Sequence, residues 1–288
     1  MRKGLNFRTI ESQKEYFETY DESLKLISSQ IVEKYITTSF GDSHVICSGD
    51  ESNPPLVLLH AASCGSPIWY KNLSFWSKYF NVYAIDLIGE SSKSILTKKM
   101  ETTRDNAQWL DETIAGLGLD KVFLCGLSIG GWNVANYAGF YPKKVIKLIL
   151  LSPVQTFAKI YLSFFFKIMK MGFNPTRKNV ENYIGWGSEK EEQLPDSIIK
   201  LFTISVMNMN SNASFPKWLK KKHLSNLKMP VLVMLGENEF AFSIRKAIKR
   251  AKSAISNLEL YIVEEASHLL CASKPDYINN KVLEFINK

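Results

Sequence analysis

The sequence predicts an α/β fold with a mostly parallel central sheet, helices on both faces of that sheet, and an inserted helical cap. Short, wholly apolar runs alternate with amphipathic stretches, which is the pattern of buried strands joined by crossover helices. One internal stretch of about 75 residues breaks this alternation and carries only helical patterns. With 288 residues and 45% hydrophobic side chains, the chain can also bury a large core.

The N-terminal part predicts a helix followed by a β-hairpin. Large apolar and aromatic residues recur at helical spacing, namely Tyr16, Phe17, Tyr20, Leu24 and Ile27. Residues 34–40 and 44–48 then flank Gly41-Asp42-Ser43, a glycine-containing sequence typical of a turn. We therefore expect two antiparallel strands joined at residues 41–43.

From Leu56 onwards the pattern alternates between strands and helices. The predicted strands are 56–59, 82–87, 122–125, 145–151, 231–235 and 258–263. The predicted helices are 68–79, 102–117, 130–140, 243–255 and 276–287. Pro275 stands at the start of the last helix, where a proline is well tolerated.

Residues 154–229 are the predicted cap. A crossover between parallel strands needs only about a dozen residues, so a stretch of this length is an insertion. The sequence therefore divides into a first core segment, 1–153, the cap, 154–229, and a second core segment, 230–288. The cap contains twelve basic and five acidic residues, which accounts for most of the net charge of +8. Because no nucleic-acid-binding motif accompanies these lysines, we interpret them as a solvated surface and expect no nucleic-acid partner.

Several classes of protein are disfavoured by the absence of their signatures. No apolar run reaches the roughly 18 residues of a membrane-spanning helix, and the basic N-terminus has no apolar signal region behind it. The four cysteines show no CxxC spacing. We expect a cytoplasmic protein without stable membrane association, and the sequence leaves the oligomeric state open. The scattered histidines and the lack of a nucleotide-binding glycine motif predict no metal and no cofactor.

Gly126-Leu127-Ser128-Ile129-Gly130 has the form G-x-S-x-G. A predicted buried strand runs into it and a predicted helix follows it, which is the setting of a nucleophile elbow. Gly126 and Gly130 are expected on either side of Ser128 because side chains would collide in so tight a turn. The motif predicts Ser128 as a nucleophile.

A serine hydroxyl needs a base and an orienting acid to act as a nucleophile at neutral pH. In elbow folds the chain order is serine, acid, histidine. Of the four histidines, only His268 follows both the strand at 231–235 and a later strand end, so we predict it as the base. We expect His44 and His223 at the surface. The loop after Leu235 offers two candidate acids, Glu237 and Glu239.

These motifs resemble the α/β-hydrolase superfamily, in particular its cap-bearing bacterial carboxylesterases. The resemblance covers about residues 31–288 and rests on five matching segments, 58–60, 86–89, 126–130, 236–239 and 267–268. In that family the acid stands three residues after the glycine as Asp, so the resemblance favours Glu239 over Glu237. The family's oxyanion hole implies backbone N–H groups of Ile129 and Ala62 as donors. His60 would stabilise the loop, and Ala61, in place of the usual glycine, must avoid positive φ.

The resemblance implies a serine hydrolase that cleaves hydrophobic small-molecule carboxylic esters through a Ser128–His268–Glu239 triad and an acyl-enzyme. Apolar residues crowd the cap and favour hydrophobic acyl or aryl groups, namely Phe164, Phe165, Phe166, Met169, Met171, Phe173, Trp186 and Met207. The same triad could act instead on a carbon–carbon bond, a thioester or an amide. A ligand-binding receptor without catalysis is a further alternative.

Overall fold

The computed structural model describes residues 7–173, 176, 178–180, 194–208 and 215–288. In these residues the strands are β1 Val32–Thr38, β2 Gly41–Ser48, β3 Pro55–Leu59, β4 Asn81–Ile85, β5 Ile95–Leu96, β6 Val122–Leu127, β7 Val145–Leu151, β8 Val231–Gly236 and β9 Leu258–Val263. The helices are α1 Ile10–Leu24, α2 Tyr70–Trp76, α3 Thr103–Gly116, α4 Ile129–Phe140, α5 Leu162–Phe173, α6 Asp196–Asn208, α7 Lys221–Leu224, α8 Ile244–Ala254, α9 Leu270–Ser273 and α10 Pro275–Asn287.

The strands form one sheet in the order β1-β2-β4-β3-β6-β7-β8-β9, with the short β5 beside β2. Neighbouring strands from β4 to β9 in this order are parallel. Only the pairs that involve β2 are antiparallel. The predicted α/β class and mostly parallel sheet are confirmed.

Helices cover both faces of the sheet and divide the core in two. On one face, α3, α4 and α8 contribute Trp109, Val134 and Ala247 to one apolar cluster. On the other face, α1, α2 and α10 contribute residues such as Tyr20 and Leu73 to a second cluster. The residues of the central strands β3, β4, β6, β7 and β8 are almost wholly buried, which explains why these strands are largely apolar rather than alternating.

Two predicted elements differ from the structure, and one observed strand was not predicted. The hairpin turn lies at Ser39 and Phe40, and residues 41–43 belong to β2, where Gly41 adopts a φ of +134° against the Ile95 backbone. The helix predicted at 68–79 is a 3₁₀ turn at Ser66–Trp69 followed by the shorter α2. The two-residue β5 was not predicted, because so short a segment has no periodicity.

Between β7 and β8, the described residues form helices α5, α6 and α7, and their one strand-like feature is a bridge from Ile160 to Phe242. Helix α6 packs against α1, and its residues Ile198, Leu201 and Ile204 join the second core cluster. The helical content of the predicted cap agrees with this arrangement. The division into core and cap segments stays a prediction.

Candidate active site

Ser128 stands alone between β6, which ends at Leu127, and α4, which begins at Ile129. Its backbone has φ 55° and ψ −114°, a conformation that a non-glycine residue adopts at a cost of about 1–3 kcal/mol. The Ser128 N–H donates to the Leu151 carbonyl at 2.9 Å, and this bond helps to hold the turn. The side chain therefore projects from the carboxyl end of a central strand.

The two flanking glycines are required by space. A Cβ on Gly126 would collide with the Gly130 carbonyl, and a Cβ on Gly130 would collide with the Leu59 carbonyl on the neighbouring strand. Positions 126 and 130 thus have no room for a side chain, in agreement with the crowding expected in this turn.

His268 lies in the loop between β9 and α9 and is 6% exposed. Its Nε2 is 2.8 Å from Ser128 Oγ, and its Nδ1 is 2.8 Å from Glu239 Oε2 and 2.9 Å from Oε1. A carboxylate can only accept, so Nδ1 carries the proton and Nε2 is free to accept one from the Ser128 hydroxyl. The structure thus brings the predicted nucleophile, base and acid into one hydrogen-bonded chain.

The Glu239 side chain is fully buried and comes from the loop that follows β8. Its Oε1 also accepts the Ala241 N–H at 2.8 Å. Burial by itself raises the pKa of Glu239, but the neighbouring His268 and the Ala241 N–H outweigh burial and hold the pKa below its usual value. Glu239 is therefore a carboxylate at neutral pH.

Glu237, the alternative acid, points elsewhere. It is exposed, and its Oε2 accepts the Glu265 N–H at 3.0 Å, which ties the loop after β8 to the loop after β9. The described contacts join Glu239, and not Glu237, to His268.

The two predicted oxyanion donors lie at the same edge of the sheet. Strands β3 and β6 are parallel neighbours with Leu59 opposite Gly126, so the turn that contains Ala62 begins beside the turn that contains Ser128. Ala62 is exposed and Ile129 is half-buried. Ala61 is not among the described residues with positive φ, as predicted; the left-handed residue of this turn is Ser63, with φ 61°.

His60 is buried and stabilises the turn, as predicted. Its Nδ1–H donates to the Ala61 carbonyl at 2.7 Å, and its Nε2 accepts the Leu87 N–H at 2.9 Å. Burial lowers the pKa of His60, which keeps the ring neutral. The Asp86 carboxylate accepts the Ser66 N–H at 2.9 Å from the same loop.

The surface position predicted for His44 is wrong, whereas His223 is partly exposed. His44 is fully buried, with Nδ1 3.0 Å from Asp86 Oδ2 and Nε2 2.8 Å from Glu33 Oε2. Burial alone would lower the pKa of His44, but these two carboxylates raise it. His223 is half-buried, with Nε2 3.0 Å from the Asn136 carbonyl of α4.

Aromatic side chains surround the His268 imidazole. Ring centroids of Phe240, Phe242 and Phe164 lie 5.5, 6.3 and 6.5 Å from it. Phe164 comes from α5, so the predicted cap contributes directly to this apolar wall. Trp186 and the side chain of Phe173, also predicted to be part of the apolar cap, lie outside the described residues.

The described residues give little support for a metal site, a membrane-spanning helix or a reactive cysteine. These residues contain no group of three or more histidine, cysteine or acidic side chains that could hold a metal ion. They contain no helix long and apolar enough to cross a membrane. All four cysteines are free and buried, and burial raises the pKa of Cys47 to about 11 and that of Cys64 to about 12. Thiols of this kind pack as small apolar groups rather than react.

Comparisons with known proteins identify the fold and its relatives. A model of the alpha/beta hydrolase fold matches residues 54–275. An uncharacterized carboxylesterase, nap, of Bacillus subtilis is 36% identical, over 94% of this chain and 92% of its own. Carboxylesterase YbfK of the same organism is 32% identical, over 99% and 98%.

Solved structures extend the likeness to three dimensions. The crystal structure of carboxylesterase CesB (YbfK) from Bacillus subtilis has a TM-score of 0.91 at 31% identity and covers 96% of this chain and 99% of that one. Naproxen esterase from Bacillus subtilis has a TM-score of 0.91 at 32% identity, with 97% and 99% coverage. With the serine turn at the carboxyl edge of a parallel sheet, these matches show that the chain belongs to the α/β-hydrolase family.

Proposed function

We propose that this protein is a carboxylesterase that hydrolyses hydrophobic small-molecule esters through an acyl-enzyme on Ser128. The observation that carries the proposal is the chain of contacts from Ser128 Oγ through His268 to a buried Glu239 carboxylate, each 2.8–2.9 Å long. The two Bacillus subtilis carboxylesterases that match nearly the whole chain support the same reaction class.

In the proposed reaction, Ser128 Oγ attacks the ester carbonyl while His268 Nε2 takes its proton. Glu239 stabilises the resulting imidazolium through Nδ1–H. The imidazolium then gives its proton to the departing alcohol, which leaves the acyl group on Ser128. Water, activated by the same imidazole, releases the carboxylic acid and restores the serine.

The negative charge of each tetrahedral intermediate would lie between the N–H groups of Ile129 and Ala62. Ile129 is the first residue of α4, so its N–H is one of those that the helix itself leaves unpaired. The helix N-terminus also favours negative charge. Ala62 follows β3, which runs parallel to β6 at this edge.

The aromatic wall of Phe164, Phe240 and Phe242 favours an apolar acyl or aryl group beside His268. The proposed partner is accordingly a small-molecule ester. We also propose a cytoplasmic location, since none of the four cysteines is paired.

A chain-length series of p-nitrophenyl esters, run beside matched thioesters, amides and a β-diketone, tests the proposal. Ester turnover should exceed turnover of the other bonds, and Ser128→Ala should abolish it. A fluorophosphonate probe should label the wild type on Ser128. A protein that is labelled but prefers another bond would be a different serine hydrolase, and one that is neither labelled nor active would be a binding protein.

A lipid–water interface is the second candidate site of action. Leu162, Phe166 and Met169 follow one another at helical spacing on α5 and are 68%, 60% and 39% exposed, with Lys167 and Lys170 also exposed beside them. Apolar and basic residues in this arrangement suit an anionic lipid surface. A sharp rise in rate as a substrate passes its micellar concentration would favour this candidate, and saturation by monomeric substrate would favour the esterase.

A further inference from the structure

Glu90 is a buried carboxylate next to the candidate active site that has no part in the triad. It follows β4, is 5% exposed, and accepts the Ser63 N–H with its Oε2 at 3.1 Å. Burial raises the pKa of Glu90, so keeping a carboxyl group here carries a desolvation cost. Because this buried acid accepts a backbone N–H of the loop after β3, it is placed to stabilise the conformation of that loop.

The hydrogen bond between Glu90 and the Ser63 N–H holds one of the two peptide units that flank Ala62. His60 Nδ1–H donates to the Ala61 carbonyl, which belongs to the same peptide unit as the Ala62 N–H. Glu90 accepts from Ser63, whose N–H belongs to the next unit. Each peptide plane beside Ala62 is thus held by one buried side chain.

The peptide between Ala62 and Ser63 needs the hydrogen bond to Glu90 because it leads into a strained residue. Ser63 has φ 61°, a left-handed conformation that costs a residue with a side chain about 1 kcal/mol or more. Without the bond to Glu90, the left-handed turn at Ser63 would lose its side-chain support, and Ala62, which carries the predicted donor, is the residue next to it.

Glu90 also lines a cavity together with Ile129, the residue that would supply the other donor N–H. The cavity has a volume of about 20 Å³, and Asn133 lines it as well. Asn133 Nδ2 donates to the Ile129 carbonyl at 3.1 Å. One buried acid therefore adjoins both turns that would supply the oxyanion hole.

We propose that Glu90 is a positioning residue that holds the turn after β3 in the shape in which the Ala62 N–H can point at the oxyanion. This role rests on the proposed esterase function. It requires an acceptor oxygen at this point rather than a negative charge. It also predicts that Glu90 acts on the transition state and hardly at all on substrate binding.

Glu90→Met tests this role, because methionine has nearly the same length and no strong acceptor, while Glu90→Gln keeps an acceptor oxygen. Glu237→Met is the matched control, since Glu237 also accepts a loop N–H at 3.0 Å but lies at the surface. We would measure kcat and KM for a p-nitrophenyl ester, the fraction of active sites by fluorophosphonate titration, and the melting temperature of each variant.

Loss of one oxyanion donor costs about 100- to 1000-fold in kcat. Glu90→Met should therefore lower kcat per active site by about 100-fold and leave KM within about threefold. Glu90→Gln should recover most of this loss, and Glu237→Met should resemble the wild type. Inhibition by a trifluoromethyl ketone, whose adduct carries the oxyanion, should weaken in Glu90→Met by a factor similar to the loss in kcat.

An unchanged kcat in Glu90→Met would overturn the inference. Equal losses of kcat in Glu90→Met and Glu90→Gln would also overturn it. So would a loss of activity in Glu90→Met that is fully explained by a smaller fraction of active sites. If Glu90→Met does not fold, Glu90→Ala replaces it, and a loss below about threefold there would have the same meaning. Failure of the proposed function would look different, because the wild type itself would then neither turn over esters nor react with the fluorophosphonate.

Discussion

Glu239→Gln is the substitution that tests the proposed triad most directly. Glutamine has the size of glutamate, and its carbonyl oxygen can still accept the Ala241 N–H, which Glu239 Oε1 accepts at 2.8 Å. The fold of the loop should therefore survive. What is lost is the negative charge, and an NH₂ group takes the place of one of the two oxygens that lie 2.8 and 2.9 Å from His268 Nδ1.

The size of the effect follows from this geometry. When His268 takes the serine proton it becomes a cation, and two unit charges about 4 Å apart attract by about 4 kcal/mol at an effective dielectric constant of about 20. Since about 1.4 kcal/mol corresponds to a tenfold change in rate, losing this attraction costs about 1000-fold in kcat. An imidazole turned to the wrong tautomer adds to the loss, as in the serine protease triad, where the equivalent change costs about 10⁴-fold. We expect a decrease of about 10³- to 10⁴-fold.

The assay is single-turnover and steady-state hydrolysis of a p-nitrophenyl ester by Glu239→Gln and Glu237→Gln, with Ser128→Ala as the background. Glu237→Gln keeps an acceptor for the Glu265 N–H and should stay within twofold of the wild type. Melting curves check that both variants fold. If Glu237→Gln lost the activity and Glu239→Gln kept it, the acid of the triad would be misassigned although Ser128 could still be the nucleophile.

Three further substitutions have defined outcomes. Ser128→Ala should abolish ester turnover without lowering the melting temperature, since the turn depends on its flanking glycines; turnover unchanged from the wild type would refute the serine mechanism. Phe164→Ala should lower kcat/KM for long-chain esters by about tenfold, because an apolar contact of the acyl group is lost, whereas the exposed Phe166→Ala should not. His44→Ala should lower the free energy of unfolding in urea by about 3–5 kcal/mol, since it strips the buried Asp86 of a partner. Because a hydrogen bond with His44 lowers the pKa of Glu33 from 4.5 to about 2, the part of this loss that comes from Glu33 should be complete between pH 4.5 and 6.5, where His44, whose pKa is raised from 6.5, is still charged. That part should shrink as the pH falls from 4.5 towards 2, and a constant loss over that range would contradict the reasoning.

Most of the parallel strands could be predicted from the sequence because their residues are buried on both faces; the edge strand β9 is only half-buried but still largely apolar. The observed bounds of β7 and β9 are the predicted ones, and β8 differs by one residue. The hairpin turn could not be placed in the same way. Gly41 looks like a turn residue, but its φ of +134° is needed inside β2, where the Ile95 backbone leaves no room for a Cβ. That constraint comes from a segment more than fifty residues away.

Some residues of the candidate active site could likewise be predicted from local sequence, and others could not. Chain order and strand ends were enough to single out Ser128 and His268, since each follows a strand that the pattern makes visible. The choice between Glu237 and Glu239 depends on how the loop after β8 turns, and local sequence does not specify that. His44 shows the limit most clearly: its burial depends on Asp86 and on Tyr20, whose ring packs 5.6 Å from it, and both come from distant parts of the chain. Glu90 was missed for the same reason.

Backbone strain is concentrated where the chemistry is proposed. Five described residues other than glycine have positive φ: Ser63, Ser128, Ser152, Gln155 and Glu265. They lie in the loops that follow β3, β6, β7 and β9, which all end at one edge of the sheet. Each such residue costs about 1 kcal/mol or more, so the rigid parallel sheet must hold these loops in place. Glycine in a sequence suggests a left-handed position, but serine, glutamine and glutamate do not. The positive φ angles of these five residues therefore could not be predicted from the sequence, and they follow only from the way in which the strands place the loops around His268.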